Sequence, residues 1–439
     1  MKVRLSLSLI TACLILTGNL HAQDTTMLTI KDAVEIALKN NYNIRLSQNN
    51  AAIAKNNVTP GAAGMLPVVN GQFTSSNSIQ DTRQIRADNS INAINNANNT
   101  GTNYGANLNW TVFDGFGMFA NYDALKQRNN LGQVLLRDTV QATIASVLSS
   151  YYDLVNQNEQ LKALRGAIAI SRVQLRYAND KFKVGRVSRL DVLNAEVNYN
   201  TDTANYITQL QAYKTSQIKL NQLMIRDLQS QFKVADTIVV DQKLLLGDIL
   251  NQAQNQNPAI IASEINKRLA EISLKQVQST RYPQVAVNGG YTVNNSNTPA
   301  GFTKIQKSNG WSYGLTATIN IFDGFNQWRR ERNAKLQMNS AGIYNDQTKL
   351  DVNAQINTLY ASYLTGLDLI KLGQSNVVIA KRNLDISLEK YKIGNITPLE
   401  IREAQRNYLD AQSKFFAAQY QSKIAEITLK QITATINID

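Results

Sequence analysis

Apolar residues alternate with small polar ones along two distant and similar stretches of the chain. Tyr104, Ala106, Leu108, Trp110 and Val112 are interleaved with Asn103, Gly105, Asn107, Asn109 and Thr111. Trp311, Tyr313, Leu315, Ala317, Ile319 and Ile321 are interleaved with Ser312, Gly314, Thr316, Thr318 and Asn320. A period of two predicts strands with one apolar and one polar face. Less regular partner strands are read at 69–75 and 285–293, and the Asn/Ser-rich stretch 75–102 reads as a polar, variable loop. About ten residues per strand suits a tilted membrane strand, and a soluble sheet facing a core would alternate in the same way. Four strands cannot close a barrel alone, so their edges call for other copies of the chain.

The remaining pattern is helical. Apolar residues at helical spacing predict helices over 30–56 (Ala33, Ile36, Ala37) and 246–278 (Ile249, Leu250, Ala253). No proline occurs between Pro67 and Pro258, and only Gly132 and Gly166 interrupt good helix formers from Gly117 to Phe182. A helix of that span is roughly 100 Å long, far beyond ordinary globular helices, and points to a coiled-coil or tube element. The returning helix keeps Leu190, Val197, Ala204 and Ile218 at heptad spacing with Leu193 and Ile207 beside them, while Asn200, Gln211 and Lys214 share the seam. A dry two-stranded seam tolerates few such residues, so the pattern suits a wall packed on its sides and wet on one face.

Landmarks in the two halves align. Asp32, Asn41 and Pro67 pair with Asp248, Asn257 and Pro283 at a shift of 216 residues. Phe113-Asp114-Gly115-Phe116 recurs as Phe322-Asp323-Gly324-Phe325, and Lys181-Phe182-Lys183-Val184-Gly185 as Lys390-Tyr391-Lys392-Ile393-Gly394, at a shift of 209. The chain therefore reads as internally duplicated, with a seven-residue length difference placed in the 75–102 loop. The expected organisation is a signal over 1–22, a first repeat over 23–227, a linker or equatorial segment over 228–245, and a second repeat over 246–439.

The start of the chain bears on compartment. Lys2 and Arg4 precede a mostly apolar run from Leu5 to Leu16, and Leu20-His21-Ala22 ends in a small residue, which reads as a secretory signal cleaved after Ala22. Ile10-Thr11-Ala12-Cys13 also fits a lipobox, leaving lipidation of Cys13 as the rival. Cleavage after Ala22 removes the only cysteine and the only histidine. No thiol nucleophile, His-dependent triad, Cys/His zinc site or disulfide can then be built, so no catalytic residue, metal or cofactor is expected. Loss of Lys2 and Arg4 takes the formal charge from +13 to +11. The cations are scattered along helices without a dense run, which reads as solvated helix surface rather than a nucleic-acid site. Past the signal no apolar stretch approaches the roughly 18 residues of a spanning helix, leaving a soluble protein or a β-barrel.

Two turns carry the remaining signal. Val184-Gly185-Arg186-Val187-Ser188-Arg189-Leu190-Asp191 and Ile393-Gly394-Asn395-Ile396-Thr397-Pro398-Leu399-Glu400 each place a helix-ending glycine before a capping-box pair, Ser188 with Asp191 and Thr397 with Glu400. Pro398 falls at the first helical position, where a missing N–H costs little. Both halves therefore end in a tight helical hairpin.

The duplicated plan, Leu66-Pro67 before the first strand, the Phe-Asp-Gly exits and the hairpin sequence ending at Ala195 together resemble the TolC-like outer-membrane efflux family, the outer membrane factor of tripartite pumps, over nearly the whole mature chain. The resemblance implies a mixed α and β fold: a homotrimeric outer-membrane β-barrel with four strands per chain, continued by a long periplasmic α-helical barrel. It implies a passive exit duct for efflux or type I secretion, working with a periplasmic adaptor and an inner-membrane pump and embedded in outer-membrane lipid. It assigns adaptor contact to the hairpin tips Val184, Gly185, Arg186, Ile393, Gly394 and Asn395, and a periplasmic gate to Asp191, Tyr391, Glu400 and Glu403. The family's basic residue after the second glycine is replaced by Ile396, and Arg186, Arg189 and Arg402 are the candidate substitutes. A secreted coiled-coil stalk or adhesin and a carboxylate-based hydrolase are the readings from other classes; the first predicts no need for detergent, the second a converging pair of acids.

Overall fold

The computed structural model describes residues 27–436 apart from Asp236 and Phe302. The expected signal, with Cys13 and His21, lies outside the described residues. In chain order the elements are α1 (Ile30–Asn40), α2 (Tyr42–Asn56), β1 (Val68–Ile85), β2 (Ile91–Phe113), α3 (Gly117–Lys183), α4 (Arg189–Met224), α5 (Leu246–Gln256), α6 (Pro258–Ser279), β3 (Gln284–Asn297), β4 (Ile305–Thr318), α7 (Asn326–Ile393) and α8 (Pro398–Ile432). The order helix, helix, strand, strand, long helix, returning helix occurs twice. Two compact units divide the chain at points inside α2, α3 and α7 and after the first residue of α6.

One unit comprises the chain up to Leu46, Arg137–Pro258 and the part from Leu350 onward. Its main core gathers Val34 and Ala37 of α1, Val147, Leu154 and Val155 of α3, Leu220 and Met224 of α4, and Phe232. Tyr151 fixes the passing chain: its hydroxyl donates to the Leu28 carbonyl at 3.0 Å and accepts from the Ala235 amide at 3.2 Å. A parallel bridge joins Met27 to Lys233.

The first helix of each half, expected to run unbroken, is interrupted at Asn41 and again at Asn257. At both breaks an asparagine carboxamide donates to a carbonyl at the end of a distant helix. Asn41 Oδ1 accepts from the Asn43 and Ile44 amides while Nδ2 donates to the Leu223 carbonyl at the end of α4. Asn257 Nδ2 donates to the Ile432 carbonyl at the end of α8, and Pro258 opens the next helix. A side chain that competes for backbone groups favours a break in the helix.

The other unit comprises Ser47–Leu136 and Ala259–Lys349 and holds one antiparallel sheet of order β1-β2-β3-β4. β1 and β3 begin directly after Pro67 and Pro283, each of which lacks a ladder donor. The stretch 75–102, expected to be a loop, is mostly strand: β1 and β2 stay paired to Ile85↔Ile91, and only Arg86–Ser90 turn. This ribbon is largely exposed, with Ala97 the buried exception, so it needs no apolar alternation to form its ladder, which is why period-two reading misses it. The half-to-half length difference resides in this ribbon, since β2 pairs with β3 only from Thr100 onward. β4 stops at Thr318, short of the expected Ile319 and Ile321, because its partner β3 starts at Gln284.

The two Phe-Asp-Gly exits share one geometry. Gly115 and Phe116 have φ of 71° and 68°, Gly324 and Phe325 64° and 63°. Phe113 meets Phe116 edge-on at 5.3 Å, and Phe322 meets Phe325 at 5.5 Å. A Cβ on Gly115 would lie 2.2 Å from the Ser279 carbonyl oxygen, so the first exit admits only glycine there.

Candidate functional site

The helical-hairpin turns are built from two local devices. Gly185 (φ 74°) and Gly394 (φ 84°) are left-handed. The Arg186 amide donates back to Lys181 O at 2.8 Å and the Asn395 amide to Lys390 O at 2.9 Å, closing each helix with a Schellman pattern. Each following helix opens with a complete capping box: the Ser188 amide donates to Asp191 at 2.9 Å and the Thr397 amide to Glu400 at 2.7 Å, with the reciprocal side-chain bonds present. Between these devices the tips project freely. Val184 and Ile393 are exposed, and a Cβ added to either glycine would meet no atom within 4 Å.

The carboxylates expected at a gate are placed unequally. Asp191 and Glu400 are engaged in their capping boxes. The Ser188 hydroxyl and amide hold the Asp191 carboxyl below its ordinary range, and the Thr397 amide and hydroxyl do the same for Glu400. Glu403 is exposed and has no ion pair among the described residues. Tyr391 is buried, packed with Leu384, Ile401 and Ala404. Burial first, and the Asp191 charge second, raise its phenol above the usual value.

Two contacts tie the hairpins together, and neither was legible from spacing. Lys181, at the end of α3, donates to the Tyr391 carbonyl at 3.1 Å and sits 4.8 Å from the centre of its ring. Deeper along the helices, Arg402 of α8 meets Asp202 of α4 at 2.8 Å. Gln405 donates to Asp202 at 3.0 Å and to the Ala167 carbonyl at 3.1 Å, and Gln174 donates to Gln405 at 3.2 Å. Of the three candidate substitutes for the basic residue at Ile396, Arg402 is thus engaged with Asp202, while Arg189 stacks 5.9 Å from the Phe182 ring.

The sheet contributes the other notable surface. β1 and β4 are its two unpaired edges, and β4 exposes Trp311, Tyr313 and Leu315, at 79%, 92% and 68%. The expected seam residues Leu190, Leu193, Val197, Ala204, Ile207 and Ile218 of α4 are also exposed, whereas Val192, Ala195, Leu220 and Met224 are buried. Among the described residues no helix is long and apolar enough to cross a membrane.

Comparison with known proteins assigns this arrangement. The sequence model of the family described as "Outer membrane efflux protein" matches twice, over residues 33–224 and 249–435. The chain belongs to the outer membrane efflux protein family. The two matches cover both halves and each hairpin turn. The outer membrane efflux protein BepC of Brucella suis is 24% identical over 435 residues, covering 98% of this chain and 91% of that protein. The outer membrane protein TolC of Vibrio cholerae is 23% identical over 308 residues, covering 68% and 69%. The crystal structure of the Campylobacter jejuni CmeC outer membrane channel has the same fold, with TM-score 0.79 at 19% identity, covering 92% of this chain and 85% of that one. Membership places this efflux protein in the outer membrane, with helices extending into the periplasm. Its relatives are channel proteins rather than enzymes, and among the described residues no group of three or more His, Cys, Asp or Glu is placed to hold a metal.

Proposed function

We propose that three copies of this chain form a passive exit duct, in which three four-stranded sheets close one barrel and the helices surround a periplasmic tunnel. The observation that carries the reading is the sheet with two free edges and an exposed apolar stripe, Trp311, Tyr313 and Leu315, beside one of them. Unpaired strand groups are tolerated in a bilayer only if the edges are closed, and copies of the same chain supply the closure. The exposed α4 stripe then packs against a neighbouring copy. The repeats run over 23–227 and 246–439, joined by the 228–245 segment and preceded by a cleaved 1–22 signal.

On this reading the tips Val184, Gly185, Arg186, Ile393, Gly394 and Asn395 dock a periplasmic adaptor, and an inner-membrane pump supplies energy and substrate choice. The open space beside both tip glycines suits close approach of another backbone. Asp191, Tyr391, Glu400 and Glu403 belong to the gate region. Of these Glu403 is the free charge, and in a trimer it becomes a ring of three carboxylates that favours cations. The test is single-channel conductance of the purified protein in planar bilayers, with and without Glu403→Gln. Discrete openings with cation selectivity that falls in the variant support channel and ring. Openings unchanged in the variant discard the ring, and absence of conductance from folded protein discards the duct.

A further inference from the structure

The second strand exit differs chemically from the first. Around it stand five cations, Arg281, Arg329, Arg330, Arg332 and Lys335, against two anions, Asp323 and Glu331. The positions 209 residues earlier hold Ala120, Asn121 and Asp123 where the second repeat has Arg329, Arg330 and Arg332, and Met65 lies 216 residues before Arg281. Both exits nevertheless adopt the same Phe-Asp-Gly geometry, so the turn does not require the arginines. Cations in the first turns of α7 also oppose the helix dipole, a cost of some tenths of a kcal/mol each. Those that find no carboxylate partner within the fold call for an account from outside it.

The side chains are disposed to receive an anion beside an apolar phase. Arg281 is held by both oxygens of Glu331, and Arg330 leans on Asp323 at 3.4 Å and Gln327 at 2.9 Å. Arg329 bonds only the neutral Asn326, and Arg332 lies over the Trp328 ring at 5.2 Å. Neither has a carboxylate partner among the described residues. Phe322, Phe325 and Trp328 are exposed beside them; the adjoining cavity of about 290 Å³ is lined by Arg281 and Arg330, the two arginines already paired with carboxylates, and not by Arg329 or Arg332. Aromatic rings at the end of membrane strands occupy the headgroup level, and a guanidinium fork matches a phosphate.

We propose that this surface seats the phosphate of an anionic phospholipid in the leaflet nearest the helices, with Arg329 and Arg332 as its charge contacts and Trp328 and Phe325 in the acyl boundary. The proposal rests on the strands spanning the membrane. It makes lipid contact lopsided, one anionic site per chain at the second repeat and none at the first.

The test uses the purified full chain in neutral detergent with added phosphatidylglycerol and phosphatidylethanolamine, bound lipid being counted by native mass spectrometry. The wild type is expected to retain phosphatidylglycerol preferentially. In the Arg329→Gln/Arg332→Gln variant the preference falls roughly thirtyfold, about fivefold per arginine, while Lys126→Gln at the first exit leaves it unchanged. Equal retention of both lipids by the wild type, or an unchanged preference in the double variant, overturns the proposal. So does disassembly of the double variant on size exclusion, which would make the arginines a contact between copies. Bilayer conductance of the same wild-type sample separates the two readings: conduction without lipid preference sinks only this inference, and preference without conduction sinks only the duct.

Discussion

Asp202 has no basic residue within four positions on its own helix, so its charge has to be answered from elsewhere. Arg402 answers it at 2.8 Å, with the two side chains 16% and 2% exposed for arginine and aspartate. Deleting one partner of a buried pair strands the other and costs about 3–5 kcal/mol. Asp202→Ala is therefore expected to lower the unfolding free energy by about 3 kcal/mol or more, and Asp202→Asn by less, since its amide oxygen still accepts from Gln405. Denaturant unfolding in detergent reads both, and a loss under about 0.5 kcal/mol, the scale of a surface substitution, would remove the pair from any structural role. Spacing did not disclose this contact, whose partners lie 200 residues apart on separate helices. Arg402 stood out only as a candidate for the basic residue missing at Ile396, without a partner to go with it. Lys181 was concealed for a different reason. Its acceptor is a backbone carbonyl, and carbonyls leave no mark on a sequence.

At the scale of elements, the hairpin turns were legible in full because every part of them is local. A left-handed glycine, a Schellman bond and a capping box fit within eleven residues, 181–191 and again 390–400, and the sequence prints them twice. The strand ribbon at 75–102 was misread because its stability comes from pairing rather than from a buried face. The helix breaks at Asn41 and Asn257 lay between these cases: the landmark asparagines stood out in the alignment of the halves, but their acceptors at Leu223 and Ile432 are long-range. Long-range packing also shapes Tyr152 of α3, whose phenol is pushed up to about 12 by burial, and further by the charges of Glu426 and Tyr151. With its folded value raised above the unfolded value of about 10, the stability it contributes is fully present below pH 10. That stability is lost as pH rises toward 12, because the unfolded phenol ionises first. Tyr152→Phe should flatten the decline in unfolding midpoint between pH 9.5 and about 11. A decline of equal slope in the variant would place the alkaline sensitivity elsewhere.

For the whole molecule, the repeat predicts how copies would join in the proposed trimer. If β4 meets β1 of the next chain as β2 meets β3 within one chain, the register follows from the two shifts. Ala106 pairs with Tyr291; moving the first forward by 209 and the second back by 216 gives Leu315 opposite Ser75. Directly opposed residues across an antiparallel pair lie within disulfide reach, and a slip of one residue turns the side chain to the other face. The only natural cysteine, Cys13, precedes the expected cleavage site, so introduced thiols report without background. A chain carrying both Ser75→Cys and Leu315→Cys, purified from the outer membrane and mildly oxidised, should run as covalent species ending at three chains on a non-reducing gel and collapse to one on reduction. Ser76→Cys with Leu315→Cys, one residue out of register, should cross-link far less. Strong cross-linking of the shifted pair alone would mean that the seam between copies does not inherit the register of the seam within them. No cross-linking of either pair in folded protein would deny that β1 and β4 meet, and with it the closed barrel.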